Sequence, residues 1–167
     1  MDSVRLSHGC LLHVIGEENS FAQTADGYVP LQHLGSVQDM QSDPVTEAEL
    51  YLDTPYLWGG NSRFGIDCSG LVQASLLACG IACPADSDLQ ESDVGEALGA
   101  GDPHKRGDLI FWKGHVAMVV DAQRMIHANA HAMATCYEDI GAAIARIEHQ
   151  GGGPVTSRKR FLEDRDE

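Results

Sequence analysis

Between Leu109 and Ala128 the chain runs LIFW, HVAMVV and RMIHA, three apolar segments each the length of a strand and joined by short turns. Connections that short cannot carry a parallel crossover, so the segments read as an antiparallel meander. Helices are expected on either side of it. Asp43-Pro44 is a helix-entry signal, and Val45, Ala48, Leu50 and Leu52 supply a modest apolar face before that helix ends near Asp53. In DCSGLVQASLLACG the apolar residues Leu71, Val72, Leu76 and Leu77 have a helical spacing, with Gly80 as the stop. PADSDLQESDVGEALG is polar and loop-like, with room for one helical turn. MATCYE reads as a further strand, DIGAAIARI as a helix capped by Asp139, and PVTSRKRF as a last strand. Residues 1–37 read as short strands, SVRL, CLLHVIGE, SFAQT and ADGYVPLQHLG, with a tight turn at Asp26-Gly27. The expected fold class is α+β: a small β unit at 1–37, a linker at 38–43, a main domain at 44–161 and an acidic tail at 162–167.

Charge narrows the partners. Eleven basic against 25 acidic residues give a formal net charge of −14, which repels a nucleic-acid backbone. The one basic run, SRKR at 157–160, sits beside FLEDRDE and reads as a solvated terminal strand. No apolar run approaches the ~18 residues that cross a bilayer, so membrane insertion is not expected. MDSVRLSHGCLLHVIGEE lacks the basic leader and apolar stretch of a secretory signal, and five scattered cysteines suit free thiols in a reducing compartment. Both features point to the cytoplasm. Cys79 and Cys83 are spaced C-x-x-x-C without a second pair, a weak zinc signal, so neither metal nor cofactor is expected.

Cys68 stands apart from the other cysteines. It falls in the first turn of its helix, where the backbone's positive end favours loss of the thiol proton, and Asp67, Ser69 and Gly70 around it suit an exposed helix start. A thiol nucleophile needs a base. His115 opens one strand of the meander and His127 closes the next, with His131 a rival for the second place. A two-residue loop at Ala122-Gln123 would put 115 and 127 on opposite faces, whereas a three-residue loop or a bulge would put them on one.

Taken in order, TPYLWGGNSRFGIDCSGLVQ, RGDLIFWKGHVAMVV and MIHANAH resemble the NlpC-type cysteine peptidases, papain-like enzymes that cut bacterial cell-wall peptides. The resemblance covers roughly residues 44–161 and implies a papain-like fold, in which the nucleophile's helix packs on an antiparallel sheet. GYVPLQHL resembles the end of a bacterial SH3-like module, which makes 1–37 a partial module of that type. Carried over by position, the resemblance implies Cys68 as nucleophile, His115 as general base and His127 as the residue that orients it. It further implies that the Cys68 N–H and the Tyr56 hydroxyl hold the oxyanion. The WGG…DCSG pattern with a downstream DSDLQ loop is similar to γ-D-glutamyl-diamino-acid endopeptidases of the dipeptidyl-peptidase VI type, which release L-Ala-γ-D-Glu from peptidoglycan stem peptides. That subset implies Asp67 and Ser69 on the free amine of L-Ala, Trp58 as a pocket wall, Ser87 on the γ-D-Glu carboxylate, and Gly59 and Gly60 giving the substrate backbone close approach. A basic residue usual before DSD is replaced by Ala85, so Arg63 or Lys113 would have to serve instead.

The expected activity is hydrolysis of the γ-D-glutamyl-diamino-acid bond of peptidoglycan-derived peptides, in wall turnover or muropeptide recycling. Two other readings compete with it. One is a papain-like amidase or acyltransferase acting on another acyl group, and the other is a wall-binding module that keeps the fold as a scaffold.

Overall fold

The computed structural model describes residues 3–99 and 101–161. The chain divides into two compact units, Met1–Met40 and Gln41–Glu167.

The first unit holds one three-stranded antiparallel sheet, β1 (Gly16–Glu18), β2 (Phe21–Thr24) and β3 (Gly27–Pro30), in that order. The turn expected at Asp26-Gly27 closes the β2–β3 hairpin, with Gly27 at φ 146°, a backbone angle that side chains rarely adopt. SVRL and most of CLLHVIGE are not strands. Residues 3–15 carry no regular structure, because alternation without a paired neighbour does not hold a strand.

The second unit begins with α1 (Pro44–Glu49), capped by Asp43, whose carboxylate accepts from the Val45 N–H at 3.0 Å. The glycine-rich loop after it contains a short hairpin, β4 (Asn61–Ser62) with β5 (Gly65–Ile66). Next comes α2 (Cys68–Ala78). It stops as its sequence predicts: Gly80 lies at φ 74°, its N–H donates to Leu77 O, and the Ile81 N–H donates to Leu76 O. The polar DSDLQ stretch forms a seven-residue helix, α3 (Ser87–Asp93), rather than a single turn. The strands that follow are β6 (Glu96–Ala97), β7 (Leu109–Trp112), β8 (His115–Val119), β9 (Arg124–Asn129) and β10 (Ala134–Asp139). α4 (Ile140–His149) and β11 (Ser157–Arg160) complete the unit.

Six of these strands form one antiparallel sheet in the order β10-β9-β8-β7-β11-β6. Alternate residues divide its side chains between two apolar layers. Leu109, Phe111, Val116, Met118, Ile126 and Ala128 pack with Leu71, Val72 and Leu76 of α2. Ile110, Trp112, Ala117, Val119 and Met125 pack with Ile140, Ala143 and Ile147 of α4. With both faces covered, the central strands read as continuous apolar runs rather than alternating ones.

The SRKR segment is not a solvated terminal strand. β11 lies between β7 and β6, and Arg160 grips Asp108, which is 1% exposed, through Nε and Nη2 at 2.7 Å each. A buried carboxylate needs such a partner, and that need draws the basic strand into the sheet. The acidic tail expected at 162–167 lies outside the described residues.

Candidate active site

Asp67 organises the start of α2. Its Oδ1 accepts from the Gly70 N–H at 2.7 Å and from the Ser69 hydroxyl at 3.2 Å, while Oδ2 accepts from the Gly59 N–H at 2.7 Å. One carboxylate thus caps the helix and ties it to the glycine-rich loop. The loop packs so closely here that a Cβ on Gly70 would strike the Gly60 carbonyl, and one on Gly60 would strike the Gly65 carbonyl. Gly60 is therefore required by the loop's own packing, whereas Gly59, at φ 73°, faces open space.

Cys68 is the first residue of α2 and only 7% exposed, so the exposed helix start expected from its polar neighbours is not what forms. Ser69 and Gly70 are buried with it, because small residues let α2 press against the loop. The backbone N–H groups of Val116, Ser69 and Cys68 favour the thiolate. Burial nevertheless outweighs them and pushes the thiol up, with the Asp67 charge acting in the same direction. The resting group is a thiol.

The Val116 contact shows how sheet and helix meet. Val116 is paired with Phe111, whose carbonyl bonds to the Thr156 N–H on the other side of β7, so the Val116 N–H is directed away from β7. Among the described residues the β8–β9 ladder consists of Met118↔Ile126 and Val119↔Met125, short of Val116. That N–H is among the backbone groups that favour the Cys68 thiolate, and Cys68 and Val116 share one buried apolar cluster between α2 and the sheet.

The loop between β8 and β9 has three residues, 121–123. The Val120 N–H bonds to Arg124 O at 2.8 Å, and Asp121 Oδ1 accepts from the N–H groups of Gln123 at 2.9 Å and Arg124 at 2.8 Å. This Asp-anchored loop puts His115 and His127 on one face, so the two-residue alternative does not form. His115 Nε2 lies 2.9 Å from His127 Nδ1 and their ring centroids are 5.1 Å apart. His127 is fully buried, whereas His131 sits on the exposed turn after β9. Burial, with His127 and Arg146 nearby, pushes His115 down to about 3 against the pull of Glu138. Burial likewise brings His127 down to about 4, against Glu138. Both rings are neutral at pH 7.

Glu138 and Arg146 complete the cluster, and the sequence reading passes over both. Glu138 Oε2 is 3.0 Å from His127 Nε2, and Arg146 grips the same carboxylate through Nε at 2.8 Å and Nη2 at 2.7 Å. The β9–β10 register sets Cys136 opposite His127, and Glu138 lies two residues along on the same face. Arg146 reaches it from α4, across a strand–helix junction that no fixed spacing encodes. His115, Asn129, His131, Arg146 and Gln150 border an open cavity of about 490 Å³ beside the base.

The other expected residues lie as follows. The Tyr56 backbone is held by the Met133 carbonyl at 3.0 Å, and burial, with Cys68 and Asp67 nearby, pushes its phenol up, so it stays protonated. Trp58 is 88% exposed. Ser87 is half-buried at the start of α3, a segment tied to α2 by buried Gln90, which donates to the carbonyls of Ser69 and Pro84 at 2.9 Å each. Arg63 is committed to the Leu52 carbonyl and the Thr54 hydroxyl, and Lys113 lies exposed on the β7–β8 turn.

Residues 53–145, more than half of the chain, match the sequence model described as the NlpC/P60 family. A Bacillus subtilis protein named gamma-D-glutamyl-L-lysine dipeptidyl-peptidase is 31% identical over an alignment 145 positions long that covers 75% of this chain and 47% of that protein. Lysinibacillus sphaericus dipeptidyl-peptidase 6 is 34% identical over 98 residues, 59% of this chain and 36% of the relative. The chain therefore spans less than half the length of either. An NlpC/P60 family protein of Bacillus cereus, solved by crystallography, superposes with a TM-score of 0.74 at 25% identity, over 95% of this chain and 56% of that one. The peptidoglycan hydrolase RipB of Mycobacterium tuberculosis shares the fold, with a TM-score of 0.60 at 23% identity, over 78% of this chain and 74% of that one.

Proposed function

Because the chain belongs to the NlpC/P60 family of cysteine peptidases, we propose that it hydrolyses the γ-D-glutamyl-diamino-acid bond of peptidoglycan stem peptides that carry a free N-terminal L-Ala. The observation that carries this reading is a buried thiol at the first residue of α2, with the His115–His127–Glu138 line of hydrogen bonds on the sheet against which α2 packs.

The chemistry follows from the protonation states. With a buried thiol and a neutral imidazole, no ion pair stands ready, so proton transfer accompanies attack. His115 Nε2 is occupied by His127, which leaves Nδ1 to take the thiol proton as sulfur adds to the γ-carbonyl carbon. The oxyanion that forms is held by the Cys68 N–H and the Tyr56 hydroxyl. His115 then gives its proton to the departing amine of the diamino acid as the C–N bond breaks. A thioester remains on Cys68, and water, deprotonated by the same imidazole, releases L-Ala-γ-D-Glu and restores the thiol.

Specificity for the free amine rests on Asp67 and Ser69, which stand beside the nucleophile. Each Asp67 oxygen keeps acceptor capacity beyond its bonds to the loop and helix, enough for a charge-assisted contact with an ammonium. In this reading Trp58 walls the pocket, open Gly59 admits the peptide backbone and Ser87 meets the γ-D-Glu carboxylate. In this reading the N-terminal sheet is part of an SH3-like module.

The test is mass spectrometry of products from L-Ala-γ-D-Glu-L-Lys, its diaminopimelate counterpart and amine-blocked versions of both. Wild type and Cys10→Ala release L-Ala-γ-D-Glu from the free-amine peptides, and Cys68→Ala releases none. Turnover by Cys68→Ala, or equal cleavage of blocked peptides, would sink the nucleophile or the amine pocket respectively.

A further inference from the structure

We propose that Glu138, clamped by Arg146, is a positioning residue that sets the direction of proton flow through His127 and His115 toward the thiol. The inference rests on the reading of Cys68 and His115 as nucleophile and base, and it extends the site by two groups.

Two neutral histidines joined by one hydrogen bond have no built-in direction. Either ring can donate to the other, and the two arrangements differ only in which nitrogens carry the protons. For the proposed base they are not equivalent. If His115 Nε2–H donates to His127, then His115 Nδ1 presents a lone pair and can accept the thiol proton. If His127 Nδ1–H donates to His115, then His115 carries its proton on Nδ1 and presents a donor where an acceptor is needed.

The far end of the chain breaks the tie. Arg146 binds both oxygens of Glu138 at 2.8 and 2.7 Å, and Arg146 is itself steadied by Gln150 Oε1 at 3.0 Å. The guanidinium holds the Glu138 carboxyl below the usual carboxylate range, so it is ionised at working pH and can only accept. His127 Nε2, 3.0 Å away, must therefore carry the proton. Because His127 is fully buried, no water supplies an alternative partner, and a neutral ring protonated on Nε2 has only a lone pair at Nδ1. His115 Nε2 must then donate, and its Nδ1 becomes the acceptor. A fixed negative charge on β10 thus decides a tautomer on β8, two hydrogen bonds away. The same charge steadies His115 when it becomes cationic during attack, through His127 rather than by contact.

The experiment uses Glu138→Gln and Glu138→Asp in the full chain. A glutamine amide can either accept from or donate to His127 Nε2, so it no longer forces the tautomer, whereas aspartate keeps the acceptor on a shorter arm. On the free tripeptide, Glu138→Gln should lower kcat about 10- to 100-fold, the size of effect that orienting groups one step removed usually show. KM should stay within about 3-fold, since no substrate contact is lost. Glu138→Asp should recover part of kcat.

The second readout needs no substrate: ¹⁵N–¹H correlation spectra of the imidazoles. Wild type should show His127 and His115 each protonated on Nε2, and Glu138→Gln should show both tautomers of the pair. Wild-type His127 protonated on Nδ1 would overturn the proposal whatever the variants do. So would a Glu138→Gln enzyme with unchanged kcat, or one whose kcat falls while the tautomers stay as in wild type. A chain that cleaves no stem peptide yet shows the stated tautomers would sink the substrate assignment and leave the relay standing.

Discussion

Asp67→Asn should destabilise the protein while making its central thiol more acidic, two effects that rarely travel together. The carboxylate receives two 2.7 Å bonds, Gly70 N–H on Oδ1 and Gly59 N–H on Oδ2. An asparagine can keep only one of them as an acceptor. If its oxygen stays on the helix cap, its NH₂ faces the Gly59 N–H, donor against donor, and the loop is released. Losing one hydrogen bond to a charged acceptor and weakening the cap costs about 1.5 kcal/mol, partly recovered because Gly59 is exposed and can turn to water. For a protein of this size that lowers Tm by roughly 5 °C. The Asp67 charge also pushes the Cys68 thiol up, so removing it moves the thiol's titration downward. The assays are thermal denaturation and the rate of iodoacetamide alkylation against pH, read at Cys68 by peptide mass spectrometry so that the other four thiols do not interfere. An unchanged Tm would show that Asp67 does not hold loop and helix together. An alkylation midpoint that stays put or rises would refute the electrostatic argument.

Other outcomes follow from the same geometry. His115 and His127 are pushed down to about 3 and about 4 by burial, so the unfolded chain binds more protons than the folded one below the usual histidine range near 6.5. Their contribution is fully present above that range and should be lost as pH falls toward 3–4, seen as a decline in denaturation midpoint that His127→Gln makes shallower. Gly60→Ala would drive a methyl into the Gly65 carbonyl, and the displaced loop should cost most of the peptidase activity while α2 and the sheet persist by circular dichroism. Arg160→Ala leaves the buried Asp108 carboxylate without its bidentate partner and should destabilise by about 3 kcal/mol, measured by urea denaturation at neutral pH, with much of the loss recovered by adding Asp108→Asn.

Much of this architecture can be read locally. The LIFW, HVAMVV and RMIHA strands, α2 with its Gly80 stop and α4 with its Asp139 cap follow from side-chain period and from caps that act within four residues. For the same reason the thiol could be placed in a helix's first turn without coordinates. Local pattern misled at SVRL, where alternation had no partner strand, and at SRKR, where composition suggested solvent and the sheet order supplied Asp108.

What the amino-acid order determined by itself is therefore the central strands, α2 and α4, and the place of Cys68 in a helix's first turn, since propensity, capping and periodicity are short-range properties of the chain. Tertiary structure alone decided which histidine meets His115, because one extra residue in the Asp121-anchored loop changes the face that every later side chain occupies. It also decided that Cys68 is buried against Val116, and that a carboxylate on β10 and a guanidinium on α4 close the line of hydrogen bonds behind the two imidazoles. Those contacts join residues from separate elements, and their distances depend on strand order, register and helix docking, which no local spacing records.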